Sequence, residues 1–169
     1  TNHNHPPKNP HTHTTKTNHP KTTHKQKKTN SKNKKKIWNK KTKLYPNVMK
    51  ILILLKSKNI KVCICTNKKQ YLAEKIIQNM GLNKYFDLIV GSQNSMKLKP
   101  HPDMLNKCVD SLNVQYNETI FIGDSLNDIV PANELGIVSV FVTYGYGKMN
   151  TSVNANIEIS DIIDLKSYF

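Results

Sequence analysis

"FIGDSLNDI", residues 121–129, places Asp124 and Asp128 four positions apart, directly behind the apolar run "TIFI" at 119–122. An apolar run closing on Gly123 reads as a buried strand, and Leu126 to Leu135, closed by Gly136, reads as a helix. In such a strand-turn-helix unit Asp124 stands in the turn and Asp128 about one helical turn later, so both carboxylates can face one point. The chain holds only 11 acidic residues against 26 lysines. Two carboxylates converging on one point suit a hard, oxygen-seeking cation such as Mg²⁺.

The same texture repeats on either side. Val48, Ile51, Leu52 and Leu55 recur at helical spacing behind Pro46, and the pattern ends near Asn59. "IKVCIC" (60–65) is largely apolar on both faces, as a buried parallel strand is. A helix is predicted from about Lys69 to Met80, stopped by Gly81, with Asn67 and Gln70 placed as a capping pair. A strand at "DLIV" (87–90) comes next. After it a helix with Pro102 near its start carries Met104, Leu105, Cys108, Val109 and Leu112 on one face. "VSVFV" (138–142) supplies a further strand beyond the 126–135 helix. Alternating strands and helices of these lengths imply an α/β fold: a parallel, three-layer sheet with right-handed crossovers.

In such sheets chemistry collects beyond the carboxyl ends of the strands. Three clusters fall there: Thr66 and Asn67 behind the first strand, "GDS" (123–125) behind "TIFI", and "KLKPHP" (97–102) ahead of the third helix. Taken singly, Thr66-Asn67 is a helix cap, Lys99 a solvated charge and Asp124 another cap. Taken together they form a set: a hydroxyl and amides for a phosphoryl oxygen, a lysine to neutralise its charge, and two carboxylates for a cation.

The three clusters, as "CTNK" (65–68), "KLKPHPDML" (97–105) and "FIGDSLNDI", resemble motifs II, III and IV of the haloacid dehalogenase superfamily. "YPNVMKILILL", "TNKKQYLAEKII", "MGLNKYFDLIVG" and "YGYG" (144–147) are similar to its phosphoglycolate phosphatase branch, over roughly residues 43–150. The resemblance implies a Rossmann-like sheet and Mg²⁺-dependent hydrolysis of a small phosphorylated metabolite. Thr66, aided by the Asn67 amide, would bind the transferring phosphoryl group, and Lys99 would neutralise it. Asp124 would hold Mg²⁺ directly and Asp128 through water or from behind, with Ser125 and Asn127 shaping that loop.

The resemblance also marks a gap. The family carries its nucleophile and general acid/base in an early DxDGT segment, on a strand in the middle of the sheet. Here the aspartates are 87, 103, 110, 124, 128, 161 and 164, and none stands in such a segment. The expectation is therefore a sheet lacking its central first strand, a missing helical cap and a chain inactive by itself. A separate chain carrying DxDGT is the partner that would complete it. The rival expectation is a non-catalytic phosphate- or partner-binding remnant on a polybasic tail. Pro131, inside the helix behind Asp128, is expected to kink it at a cost of about 3 kcal/mol.

Composition divides the chain as expected from this reading: a tail at 1–36, a linker or cap remnant at 37–45, and an incomplete core at 46–169. From Thr1 to Lys36 only Thr, Asn, His, Pro, Lys, Gln and one Ser occur, which cannot bury a core and predicts disorder. Of the net charge of +15, residues 1–43 contribute 13 Lys and no acid, so the remainder is nearly neutral. A tail without Arg or aromatic residues is a poor selective reader of nucleic acid. Six of the seven His lie there without Cys or acid partners, which reads as polar filler rather than a metal site. All tail residue types except Ser have codons starting with two A or C bases, which suits an A/C-rich tract or an out-of-frame reading. Three cysteines fit a reducing cytoplasm. "ILILL" (51–55) is too short to span a bilayer, and no apolar stretch of signal-peptide type opens the chain.

Overall fold

The chain divides into two units, Thr1–Ile37 and Trp38–Phe169, and the computed structural model describes Thr1, residues 42–147 and residues 152–169. The expectations for the 1–36 tail, including its histidines, and for most of the 37–45 linker lie outside the described residues.

The described elements alternate as the apolar periodicity dictates. They are α1 (Val48–Ser57), β1 (Cys63–Lys69), α2 (Gln70–Asn79), β2 (Leu88–Ser92), α3 (Asp103–Leu112), β3 (Ile120–Gly123), α4 (Leu126–Glu134), β4 (Val138–Val142) and β5 (Ile157–Ile159). Short 3₁₀ turns connect several of them, and one of seven residues, Ile162–Tyr168, follows β5. Neither β5 nor that last turn has a strong signal in the sequence: three residues, "IEI", are too few to show a period.

All strand pairs are parallel, but they form two sheets. β1 pairs with β2, and β3, β4 and β5 pair in that order. Among the described residues no strand joins the outer edge of β1 to that of β3, where the sequence predicts a missing central strand. Burial follows this division. β4, flanked on both sides, is buried at four of its five positions, whereas β3 is only half-buried throughout.

Helices on both faces hold the two sheets in one three-layer unit. On one face Ile51 and Leu55 of α1 join a cluster with Val140, Val142, Ile159 and Leu165. Leu52 of the same helix joins Ile77 and Leu82 beside Ile64 and Ile89. α1 therefore spans the division between the sheets. On the opposite face Leu105, Val109, Ala132 and Ile137 pack against Cys65 and Phe121. Ile120 and Ile122 face one layer and Phe121 the other, the two-residue alternation of a strand that is apolar on both faces. Each fully buried aliphatic side chain of these layers contributes about 1.5–3 kcal/mol.

Three local readings change. β1 begins at Cys63 rather than Ile60 and runs through Thr66 and Asn67. The Asp87 carboxylate accepts from the Val62 amide at 2.8 Å, fastening the residues ahead of the ladder. Asn67 and Gln70 are not a capping pair: no side chain caps α2, and Gln70 instead donates to Ile89 O and accepts from the Gly91 amide. Finally, α4 continues through Pro131, which is fully buried and whose missing N–H removes the bond to the Asn127 carbonyl.

Candidate functional site

The site lies at the carboxyl ends of β1 and β3. Along β1 the ladder pairs Thr66 with Gly91 and then Lys69 with Ser92, so Asn67 and Lys68 bulge out of register. Such a bulge re-aims side chains at a strand end. Thr66 Oγ1 accepts from the Lys68 amide at 3.2 Å, which leaves its hydroxyl proton available to a further acceptor. The bulged Asn67 turns its side chain across to the loop ahead of α3. Its Nδ2 donates to Lys99 O at 2.8 Å and its Oδ1 accepts from Lys99 N at 2.9 Å. This two-way amide clamp fixes the backbone of Lys99, whose peptide bond to Pro100 is cis.

From that anchor the Lys99 side chain runs inward. Its Nζ donates to Cys65 O at 2.8 Å and to Asp128 Oδ1 at 2.6 Å, and lies 5.0 Å from the centre of the Phe121 ring. Lys99 and Asp128 are each 8% exposed. A buried lysine and carboxylate are tolerable only as a pair with further hydrogen bonds, and both are supplied here. An ammonium has three donors; two are spent on the protein. The second oxygen of Asp128 accepts from Ser125 Oγ at 2.9 Å. Ser125 immediately precedes α4, and Asp128 lies in its first turn, where the helix dipole favours a negative charge. Gly123 is required beneath this arrangement, because a Cβ there would overlap the Asp128 side chain.

Asp124 is held differently. Its Oδ2 accepts from the backbone N–H of Tyr146 at 2.8 Å and of Gly147 at 3.3 Å, both in the loop behind β4. Its other oxygen, Oδ1, accepts from none of the described residues.

The structure thus links Asn67, Lys99, Asp128 and Ser125 in one network, with Thr66 and Asp124 adjoining its two ends. Sequence reasoning placed these residues but assigned no role to the Cys65 carbonyl, to Phe121 or to the Tyr146 and Gly147 amides. "YGYG" is the only trace of those amides in the sequence. A backbone contact leaves no side-chain signature, and the glycines alone do not say which carboxylate they approach. Among the described residues no group of three or more His, Cys, Asp or Glu stands together, and no helix is long and apolar enough to cross a membrane.

Near the site, His101 Nδ1 lies 2.8 Å from Asp103 Oδ1 and Lys97 Nζ lies 3.3 Å from His101 Nε2. The Lys97 amide bonded to Asp103, with His101 and Lys97 nearby, holds that carboxyl below the usual carboxylate range. Against the inner face, a hydrogen bond with Cys108 and burial push the Cys65 thiol up. Cys108, hydrogen-bonded to Cys63, is pushed up to about 12.

Known proteins resemble this chain in sequence and in fold. The phosphoglycolate phosphatase of Neisseria meningitidis serogroup A is 39% identical over 108 residues, covering 64% of this chain and 46% of that protein. That of Escherichia coli K12 is 33% identical over 105 residues, covering 62% and 42%. The chain thus spans a little under half the length of these curated relatives. The crystal structure of a predicted phosphoglycolate phosphatase from Haemophilus somnus 129pt superposes with a TM-score of 0.70 at 28% identity, covering 75% of this chain and 57% of that one. A predicted phosphatase from Clostridium acetobutylicum superposes with a TM-score of 0.68 at 29% identity. The family of haloacid dehalogenase-like hydrolases matches residues 4–142. With that match over most of its length, and with the parallel α/β core just described, the chain belongs to the haloacid dehalogenase-like hydrolases.

Proposed function

We propose that this chain carries the phosphate- and cation-binding part of a phosphatase for a small phosphomonoester of the phosphoglycolate type. One observation carries the reading: the Lys99 ammonium, anchored by Asn67 and paired with Asp128, stands at the carboxyl ends of β1 and β3 with two of its three donors spent on the described residues. The third donor and the Thr66 hydroxyl would bind phosphoryl oxygens, with the Asn67 amide assisting. Lys99 and Thr66 thus supply the charge and orientation that phosphoryl transfer requires. The substrate class comes from the names of the relatives, phosphoglycolate phosphatases.

The donor set fits Mg²⁺, which retains several waters and takes one or two protein carboxylates. Asp124 would hold it through Oδ1. Both oxygens of Asp128 are occupied by Lys99 and Ser125, so Asp128 would act from behind, by fixing Lys99 and the 123–128 turn. Bound there, the ion would offset charge on the phosphoryl oxygens.

The chain as given holds no aspartate ahead of Asp87, so no carboxylate is placed to attack phosphorus. The two separate sheets among the described residues suit a second reading, a non-catalytic phosphate- or partner-binding module; completion by a separate chain bearing DxDGT is a third. The deciding assay is phosphate release from 2-phosphoglycolate with Mg²⁺, against an Asp124→Ala control. Turnover above the control establishes autonomous catalysis. Turnover equal to the control, with phosphate still bound in a Lys99-dependent manner, supports the binding module. Adding a DxDGT-bearing fragment without any gain in activity dismisses complementation.

A further inference from the structure

Asp124 is positioned from outside its own strand-turn-helix unit. The two amides on its Oδ2 belong to Tyr146 and Gly147, and a Cβ at the neighbouring Gly145 would overlap the Asp124 side chain. These residues lie in the irregular stretch between β4 and β5, where no ladder fixes them. Tyr45, just ahead of α1, contacts that stretch through its ring, which packs on that of Tyr144 with centroids 4.9 Å apart and planes at 59°. Tyr45 is in turn tied to the core: its carbonyl accepts from the Val48 amide, and Asn47 Nδ2 donates to Asp161 Oδ2 at 2.7 Å. Tyr45, Pro46, Tyr144, Ser160 and Asp161 line a small, half-open cavity of about 100 Å³ beside this contact.

We propose that Tyr45 is a positioning residue for Asp124. It clamps the 144–147 loop through Tyr144, and so seats two backbone amides on one carboxylate oxygen and leaves the other without a hydrogen bond from the described residues. The Tyr146 side chain is 94% exposed, so the ring contact of Tyr45 with Tyr144 is the clamp. The functional meaning of this positioning rests on reading Asp124 as the cation ligand; the positioning itself does not.

The test uses the full chain, ¹⁵N-labelled. In Tyr45→Ala, hydrogen exchange at the Tyr146 and Gly147 amides should accelerate about fivefold, the scale of one aromatic pair. Exchange in α3, from Met104 to Val109, should not change. Tyr45→Phe, which keeps the ring, should restore both amides to within about twofold. Tyr144→Leu, which removes the opposing ring, should behave as Tyr45→Ala does. Unchanged exchange at both amides in Tyr45→Ala, or acceleration spread equally through α3, overturns the proposal. Mn²⁺ titration, followed by water-proton relaxation, separates the two readings. Amides that respond together with a similar loss of Mn²⁺ affinity support both. Amides that respond while Mn²⁺ binding is absent or unmoved support the clamp and remove Asp124 as a cation ligand.

Discussion

Lys99 and Asp128, almost fully buried and 2.6 Å apart, are the pair whose loss should matter most. The Coulombic gain of such a pair is largely cancelled by the desolvation of both ions, so its presence is weak evidence of stability, whereas breaking it is costly. Lys99→Met leaves a carboxylate buried without its cation, and should lower the unfolding free energy in urea by about 3–5 kcal/mol. Lys99→Met combined with Asp128→Leu should lose much less than the two single changes added together. A double-mutant cycle that is simply additive would show that the two side chains do not act as a pair. Asp103 offers a gentler check. Its folded pKa is depressed, chiefly by the Lys97 amide, so its contribution exists above the ordinary carboxylate value near ~3.9 and is lost as pH falls through the lower folded value. An NMR titration should place the Asp103 midpoint below ~3.9; a midpoint at or above it shows that the Lys97 bond does not form in solution.

Among the elements, β1 and α3 carry a prediction about reactivity. Their thiols at Cys65 and Cys108 are half-buried, hydrogen-bonded within the cysteine group and raised in pKa. A raised folded pKa means that their contribution to stability is complete below the unfolded value. It is lost as pH climbs from about 8.5 toward about 12 for Cys108. At pH 8 the thiolate is therefore scarce, and alkylation by iodoacetamide in the folded chain should run at least about tenfold slower than in urea. Equal rates in both states would mean that α3 does not pack on β1 as described. The same element scale explains why Asn67 is not a cap: the bulge between Thr66 and Lys69 turns it toward Lys99, and no sequence pattern encodes that bulge.

For the molecule as a whole, the controlling feature is the division of the sheet. β4 has ladders on both sides, whereas β1 and β3 each have one among the described residues. Local opening should follow that difference. Amides of β3 should exchange about tenfold or more faster than those of Val140 and Val142 in β4, as read by hydrogen exchange with mass spectrometry. Equal protection across β3 and β4 would mean that a further strand covers the outer edge of β3. α1 helps keep the two sheets together, through Ile51 and Leu55 on one side and Leu52 on the other, as the Leu105, Val109 and Ala132 cluster does on the opposite face. It stands in for part of the cohesion that a continuous ladder would provide.

The sequence by itself determined the alternation of helices and strands and the parallel sheet, and singled out the candidate residues at its carboxyl ends. Those features rest on local periodicity and on short side-chain motifs: the apolar period of α1, the two-faced strand of "TIFI", and the grouping of Thr66, Lys99, Asp124 and Asp128. The sequence also contains no DxDGT segment. What only the tertiary structure decided is how those residues are held. The two-way clamp of Asn67 on Lys99, the Cys65 carbonyl under the ammonium and the amides of Tyr146 and Gly147 on Asp124 all involve backbone groups. Every residue carries the same backbone groups, so their partners cannot be read from residue identities. They are set by which strand ends and loops the fold brings together.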